Sequence, residues 1–449
     1  MASDENGMNG QQLSPVDEFQ RAVHRRDVAG LRRVLEGSAE VRAAINEPLF
    51  GFDSPALVSV AGSGDVALVD VLLEFGADPN RKSAWWAGGF HPLYGADDKV
   101  AAILLAAGAV ADACAAAHLD RPDLLRDMLA KNPARVHERG GDGQMPLHFA
   151  RSRAVIDLLL DAGADIDARD IDHRSTAAEW MLGADPDPEQ GRTELARYLV
   201  ERGAAADVFM VAALGLTGRA RQMLDRDPQL VTLRTGQGDY AERPPSSYHI
   251  YLWTLGSNLS PLHVAAKFGR KETLSVLKSY APPVEQLLFA CHVGDGAEAR
   301  RLAAEHPGFL ATLSATQQRA LTDEAWAANA PAVRLLLELG FDPSVPSLSG
   351  PRTGTALHCA AWEGSVACVE AILDYPAGRS LLNARETNWN GTPLSWCCHG
   401  SRHCGNANAD HAGVAKVLIA AGAEITADMA DWDCSDPIAG VIRQVLGSR

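Results

Sequence analysis

Residues 140–150 read GGDGQMPLHFA, a glycine-rich turn that leads directly into a word of proline, leucine and histidine. Proline suits the first turn of a helix, and the leucine and small residues after it would pack inward. The chain therefore carries a helix-starting word, and variants of that word return along it. They are SPAL from Ser54, HPLY from His91, TAAE from Thr176, SPLH from Ser260, TALH from Thr355 and TPLS from Thr392.

The ends of the repeated units are also alike. Six segments finish an amphipathic helix with glycine, as in LLLDAGADID (158–167) and LLLELGFDPS (335–344). Glycine there can adopt the left-handed conformation that stops a helix. Other helices are predicted to stop ahead of Pro133, Pro228 and Pro307, because the residue before proline avoids helical geometry. Helix pairs without the opening word are predicted at 112–131, 206–226, 283–305 and 317–340.

These openers and endings resemble the ankyrin repeat, whose period is about 33 residues. GADIDARDIDHRST (163–176) and GGDGQMPLHFA are especially similar to it. The resemblance covers nearly the whole chain with roughly thirteen helix pairs, and implies an all-α ankyrin-repeat solenoid with finger loops. The alternation of glycine-ended and proline-ended units, with SSYHIYLWTLG at 246–256, also resembles long bacterial-type ankyrin arrays.

The interruptions of the repeat divide the chain into four parts. Residues 1–15 predict a disordered tail, 16–231 an N-terminal array, 232–259 an inserted loop, and 260–449 a C-terminal array with a cap. Long loops in compact arrays commonly carry function, so the insertion is the first candidate for a site. The alternative is a loop that covers a weakly packed joint. The alternation of HIYLW also predicts a short strand near 248–253.

Aromatic and polar residues concentrate where the repeat is irregular, which predicts a binding surface on the insertion and the finger loops. Large aromatic side chains with polar tips are typical binding anchors. Any one of these tryptophans could equally be a packing residue. The candidate binding residues are Trp85, Trp86, His173, Tyr248, His249, Tyr251, Trp253, Trp389, His399 and Arg402.

The segment TPLSWCCHGSRHCGNANADH (392–411) holds three cysteines and three histidines. Cys397 and Cys398 fall on alanine columns of the repeat, which predicts small buried side chains. Adjacent cysteines on a helix point about 100° apart, so both cannot easily face one ion. Gly400 disfavours continuation of the helix. We therefore expect no metal and no cofactor. The open alternative is a metal held by His399, His403, Cys404 and His411.

The ankyrin resemblance implies a scaffold that binds a protein partner, and that His148, His263 and His358 hydrogen-bond the backbone of adjoining loops. The net charge of −16, without a basic cluster, argues against nucleic acid or anionic membrane and favours a basic partner. No recognised catalytic motif stands in a matching context. The alternative is an ankyrin-fold enzyme or small-ligand protein with a site at 232–259 and neighbouring fingers. Its acting groups would be His173 with Asp172 and Glu179, His249 with Tyr251, or His399 with Arg402.

Composition indicates a globular chain, with 47% hydrophobic and 22% charged residues. The eight cysteines are too sparse for a disulfide scaffold. The first residues lack the apolar core of a signal peptide, and no stretch reaches the about 18 apolar residues of a membrane span. These observations predict a cytoplasmic protein. They set neither the partner's identity nor the oligomeric state.

Overall fold

The computed structural model describes residues 14–183, 192–347, 353–426, 429 and 434–447. Within these residues all regular secondary structure is helical, and β-type pairing is limited to isolated bridges at loop turns. The predicted all-α fold is therefore confirmed. The expected tail at 1–15 lies outside the described residues, apart from Ser14, which caps the first helix, and Pro15, which begins it.

The repeated words start and stop helices through their own side chains. The backbone N–H of Glu179 donates to the Thr176 hydroxyl at 3.3 Å, and the backbone N–H of Thr176 donates to the Glu179 carboxylate at 2.6 Å. This reciprocal cap satisfies donors that the first turn of a helix leaves free. At the other end, Gly163 and Gly340 have φ of 93° and 90°, the left-handed conformation that ends a helix.

The chain divides into two compact units. Unit 1 comprises residues 1–210 and 240–255, and unit 2 comprises residues 211–239 and 256–449. The α-helices of unit 1 are Pro15–His24, Val28–Gly37, Ala39–Ala43, Ala56–Ala61, Val66–Glu74, Asp98–Ala106, Ala113–His118, Pro122–Lys131, Pro146–Phe149, Arg153–Asp161, Ala177–Trp180, Arg192–Glu201 and Tyr251–Thr254. Its 3-10 helices are Gly51–Asp53, Pro92–Tyr94, Pro133–His137 and Gly141–Gly143.

Unit 2 repeats the same arrangement of helix pairs. Its α-helices are Thr217–Arg226, Pro261–Lys267, Lys271–Tyr280, Pro283–His292, Gly296–Glu305, Ala315–Gln318, Ala320–Trp326, Ala330–Glu338, Ala356–Trp362, Val366–Leu373, Pro376–Arg379, Pro393–His403, His411–Ala420 and Asp436–Gly447. Its 3-10 helices are Pro228–Thr232 and Phe309–Thr312. The chain crosses between the units three times, within Val208–Leu214, within the 3-10 helix Gly238–Tyr240, and after Leu255. As predicted, helices end before Pro133, Pro228 and Pro307.

Each unit contains a continuous cluster of buried apolar side chains. One such cluster in unit 1 runs from Phe19 to Ala115, and one in unit 2 runs from Leu287 to Ile442. Cys397 and Cys398 are buried in the unit 2 core beside Ala360 and Ala361, as their alanine-column positions predicted. Small side chains in these columns let neighbouring helices approach, so each pair buries its apolar face against the next.

Two local predictions were wrong. The helix Pro393–His403 continues through Gly400, because a Cβ there would lie 2.4 Å from the carbonyl oxygen of Trp362 and glycine alone permits the approach. The expected strand at 248–253 is instead the helix Tyr251–Thr254. Ile250, Tyr251 and Leu255 are buried, so the apolar pattern follows a helical face rather than a pleat.

All eight cysteines are free thiols; Cys404 is partly exposed and the others are buried. Burial raises the pKa of Cys398 and of Cys291 to about 12. No helix among the described residues is long and apolar enough to cross a membrane.

Candidate functional site

The loops that join successive helix pairs of unit 1 contact one another and form a continuous surface, here called the finger row. Adjacent loops are connected through backbone groups. The N–H of Ala84 donates to the carbonyl of Asp53 at 2.9 Å, and the N–H of Ile171 donates to the carbonyl of Asp142 at 3.0 Å. The finger row consists of residues 49–54, 80–91, 139–145, 169–175 and 243–250.

The second and third loops meet at a glycine contact. A Cβ on Gly88 would lie 2.2 Å from the carbonyl oxygen of Gly140, and the φ of Gly88 is 154°. Only glycine tolerates both the close approach and this backbone conformation. The loops are therefore held at a fixed spacing, which gives the finger row a defined shape.

Residues 243–250 of the predicted insertion dock as the last loop of the finger row. The N–H of Ser247 donates to the Asp172 carboxylate at 2.8 Å, and the N–H of Ile250 is 3.2 Å from the hydroxyl of Ser175. The Tyr248 carbonyl lies 2.8 Å from Nδ1 of His173. The insertion thus repeats the contact that earlier loops make with one another, instead of standing apart from the array.

Apolar side chains lie on the outside of this row. Phe52, Trp86 and Ile171 have exposed fractions of 57%, 46% and 39%. The Phe52 ring packs edge-on against Trp85, with centroids 5.2 Å apart, and tilts against Phe90 at 5.5 Å. Trp85 and Trp86 are themselves 6.1 Å apart. The two predicted tryptophans therefore belong to an aromatic cluster with partly exposed rings.

Polar groups lie beneath the last loop. The Tyr251 and Tyr240 hydroxyls donate to the Asp207 carboxylate at 3.2 and 2.9 Å. Burial, with the nearby charge of Glu179, raises the pKa of Asp207 to about 6. Burial also acts to raise the pKa of Glu179, but the hydrogen bond and charge of His249 outweigh it and hold that pKa below its ordinary value. These groups form a network in which Glu179, His249 and Tyr251 are buried and Asp207 and Tyr240 are half-buried.

This network changes how two of the predicted binding residues are read. Tyr251 is fully buried and His249 is 5% exposed, so neither side chain lies on the outer surface as the sequence suggested. Glu179 pairs with His249, at 3.6 Å, and not with His173. The expected grouping of His173, Asp172 and Glu179 is therefore divided between two places.

His173 instead faces two carboxylates. Its Nε2 lies 3.8 Å from Asp142 and 4.0 Å from Asp172. Burial raises the pKa of Asp142 to about 6, although the neighbouring His173 acts against the rise. One imidazole nitrogen and two carboxylate oxygens are close enough here to hold a cation. The sequence pointed to His173 and Asp172 but missed Asp142, which precedes them by one repeat.

The remaining predicted residues lie at other places. Trp253 is 64% exposed on the helix Tyr251–Thr254 of unit 1. In unit 2, Trp389 is 62% exposed and its ring is 6.1 Å from Trp396. The exposed His399 stacks near His403 at 4.3 Å. Arg402 donates to the carbonyl of Cys434 at 2.7 Å.

The metal alternative at 392–411 loses one of its four groups to a backbone bond. The imidazole of His411 is 8% exposed, and its Nε2 lies 2.8 Å from the carbonyl oxygen of Trp362.

Phe52, Phe90 and Ile171 were missed by the sequence reading. Their only signal was position, since each occupies a loop directly before a helix-starting word.

Comparison with known proteins identifies the repeat. The family model described as Ankyrin repeat matches residues 142–171 and 354–385. The first match overlaps two loops of the finger row, 139–145 and 169–175, and the second contains the TALH word of unit 2. No curated protein matches the chain significantly. The bacterial-type assignment stays a prediction.

Proposed function

The chain is an ankyrin-repeat protein, and on this premise we propose that it is a protein-interaction module whose finger row binds a basic, apolar segment of a partner protein. Ankyrin repeats generally bind proteins. The observation that carries the assignment to the finger row is the exposure of Phe52, Trp86 and Ile171 on loops that are held together by backbone contacts.

Exposed aromatic side chains on a fixed scaffold suit a binding role. Aromatic anchors dominate the affinity of most protein interfaces. The scaffold loses little conformational freedom on association, because its loops are already ordered by their mutual hydrogen bonds. The Phe52 ring contacts both Trp85 and Phe90, so a partner side chain that packs on Phe52 gains contacts with its neighbours.

The charge distribution favours a basic partner. Unit 1 carries 35 Asp and Glu against 22 Lys and Arg, whereas unit 2 carries 22 against 19. Most of the negative charge therefore belongs to the unit that contains the finger row. Long-range attraction to a basic segment would increase the rate of association and would weaken as salt is added.

The alternative function, an enzyme or small-ligand protein built on the insertion, has less support. His249 and Tyr251 are buried among hydrogen-bonding or carboxylate groups under the last loop, where a substrate would first have to displace that loop. We also assign the protein to the cytoplasm, since eight free thiols suit a reducing compartment.

A peptide library displayed on phage and selected against the full chain tests the proposal. We expect enriched peptides to combine Lys or Arg with aromatic or aliphatic residues. Phe52→Ala and Trp86→Ala should each weaken a selected peptide by about 2 kcal/mol, roughly 30-fold. Val110→Ala is the matched control, because Val110 is an apolar residue of unit 1 outside the finger row and 71% exposed.

Three results would count against the finger row. The enriched peptides could be acidic, they could bind both aromatic variants as tightly as the wild type, or Val110→Ala could weaken them equally. Isothermal titration calorimetry at low and high salt then measures the electrostatic contribution to the binding free energy of a selected peptide. This contribution should fall as the Debye length shortens.

A further inference from the structure

Three histidines occupy the same position of the repeat, and one of them lacks the contact that the others make. Nε2 of His148 lies 3.1 Å from the carbonyl oxygen of Ser175, and Nε2 of His358 lies 3.2 Å from that of Gly391. Both carbonyls belong to the following finger loop. Nε2 of His263 has no hydrogen-bond partner among the described residues.

The reason is the length of the next loop. The helix Lys271–Tyr280 is followed by Pro283–His292 after residues 281 and 282 alone. No finger is present to offer a carbonyl to His263. In place of a finger loop, His263 has His292 as its neighbour, the last residue of the helix Pro283–His292. The ring centroids of His263 and His292 are 4.5 Å apart.

A carboxylate completes this group. Nδ1 of His292 lies 2.7 Å from Glu324, whose second oxygen accepts from the Asn329 amide at 2.7 Å. The same amide donates to the His292 carbonyl at 2.8 Å. One potential ligand atom from each of His263, His292 and Glu324 lies within 4.8 Å of the other two.

The three side chains line a pocket of about 70 Å³. A water needs roughly 10–15 Å³ of such space, so an ion and at least one water fit. The exposed fraction of His263 is only 5%, so its side chain is more than nine-tenths buried. It lines this pocket, and its Nε2 has no hydrogen-bond partner among the described residues. A buried nitrogen that faces a polar pocket is suited to bind a ligand there.

We propose that His263, His292 and Glu324 form a binding site for a divalent transition-metal ion of the Zn²⁺ class. Two imidazoles and one carboxylate are a ligand set that zinc accepts, with a further coordination position open to the pocket. The Ser260 hydroxyl, 2.6 Å from Nδ1 of His263, can accept the Nδ1 proton and leave Nε2 as the ligand atom; this tautomer gives up the 3.3 Å bond that the Ser260 N–H donates to Nδ1. This proposal departs from the expectation, drawn from residues 392–411, that the chain holds no metal.

Binding requires small movements and the displacement of one proton. Ligand atoms around zinc are separated by roughly 3–3.5 Å, given bonds of about 2.0–2.1 Å. The ion would replace the proton between His292 and Glu324; from a neutral His292 that proton moves to Nε2 of the same ring, and from an imidazolium it is released to solvent. The competing outcome is that the His292–Glu324 hydrogen bond is complete in itself and takes no ion.

Titration of the chelator-treated full chain with Zn²⁺, followed by calorimetry, tests the site. We expect about one ion per chain, and a Co²⁺ spectrum with the ligand-field bands of a nitrogen and oxygen site. His292→Gln and Glu324→Gln should each lower the affinity about 100-fold or more, since second-shell changes alone cost about 10–100-fold. His263 is left unchanged in this titration, because its bonds to Ser260 also cap the helix Pro261–Lys267, and its substitution would change the cap together with the ligand set.

Two control variants locate the ion. His399→Gln removes a member of the other histidine pair of unit 2, and Asp172→Asn removes a carboxylate from the cluster around His173. Both should bind Zn²⁺ like the wild type. No binding by the wild type, binding that survives His292→Gln and Glu324→Gln, or a loss in Asp172→Asn would each overturn the proposal. Circular dichroism of every variant confirms that the fold is intact.

Discussion

His148 in unit 1 and His263 in unit 2 are each the last residue of the sequence PLH, and each lies in the first turn of a helix. His148 is bonded at both ring nitrogens, to the N–H of Met145 and to the carbonyl of Ser175. His263 keeps only the bonds to Ser260, and its side chain lines a pocket. The repeat word is the same, but the loop after the helix pair differs in length. The pair that contains His148 is followed by a loop of about fifteen residues, and the pair that contains His263 by a loop of two.

The difference shows that a repeat position has no fixed role. In the finger row, consecutive loops satisfy one another and leave their apolar tips exposed. In unit 2, where a loop is missing between Tyr280 and Pro283, a polar group that normally binds backbone is left for another partner. A departure from the consensus therefore changes the residues of the preceding repeat as well as its own.

The largest expected effect on the free energy of unfolding comes from the buried leucine that both helices have at the same repeat position. Leu147 and Leu262, which directly precede the two histidines, are both buried. Leu147→Ala and Leu262→Ala should each lower the free energy of unfolding by about 2–5 kcal/mol through cavity formation. Urea unfolding measures both. Losses that differ by more than about 2 kcal/mol would indicate that the two helices are packed differently, and would break the comparison at its base.

The next effect separates the two histidines. His148→Ala removes the bond to the Ser175 carbonyl, which still accepts from the N–H of Asp170 at 3.0 Å, whereas His263→Ala removes no such contact. In the presence of a chelator, the loss in free energy of unfolding should therefore be about 0.5–1.5 kcal/mol greater for His148→Ala. Equal losses would mean that the bond to Ser175 contributes nothing, and that His263 is not distinct from its counterparts.

A smaller effect depends on pH and reports on the network under the last loop of the finger row. The folded-state pKa of Asp207 is raised to about 6. The charged form is thus unfavourable in the folded state, and stability is lost as the pH rises through that value. Relative to Asp207→Asn, the wild type should lose about 1 kcal/mol in the free energy of unfolding between pH 5 and pH 7. Parallel pH profiles would show that Asp207 has an ordinary pKa.

The smallest effect concerns the exposed rings. Trp86→Ala in unit 1 and Trp389→Ala in unit 2 remove side chains that are 46% and 62% exposed. Each should change the free energy of unfolding by less than about 0.5 kcal/mol. Only the first should weaken the peptides selected for the finger row. A large loss of stability in thermal unfolding would identify these rings as packing residues.

The regular parts of the fold could be predicted from the sequence, because caps, closing glycines and small-residue columns are local signals. Burial of Cys397 and Cys398 followed from their columns alone. The sites could not be predicted in the same way. Asp142 meets His173 only because consecutive loops stack, and His263 meets Glu324 only because residues 281 and 282 are too few to form a finger.

Individual misreadings have similar causes. Tyr251 was predicted on the surface because it lies in a long insertion, but its hydroxyl donates to the half-buried Asp207 of a distant segment. Gly400 was expected to disfavour the helix, since glycine is a poor helix former. The approach of Trp362 from the neighbouring repeat reverses that preference, and a neighbouring repeat's backbone is not visible in local sequence.

The distribution of the thiols makes the natural chain suitable for site-specific conjugation. Of its eight cysteines, Cys404 alone is partly exposed, and the reactive thiolate form is suppressed at the buried Cys291 and Cys398. A maleimide fluorophore in slight excess should therefore attach at one position, directly after the helix that carries His399 and His403. Surface tethering or single-molecule imaging of the protein needs no cysteine to be introduced or removed.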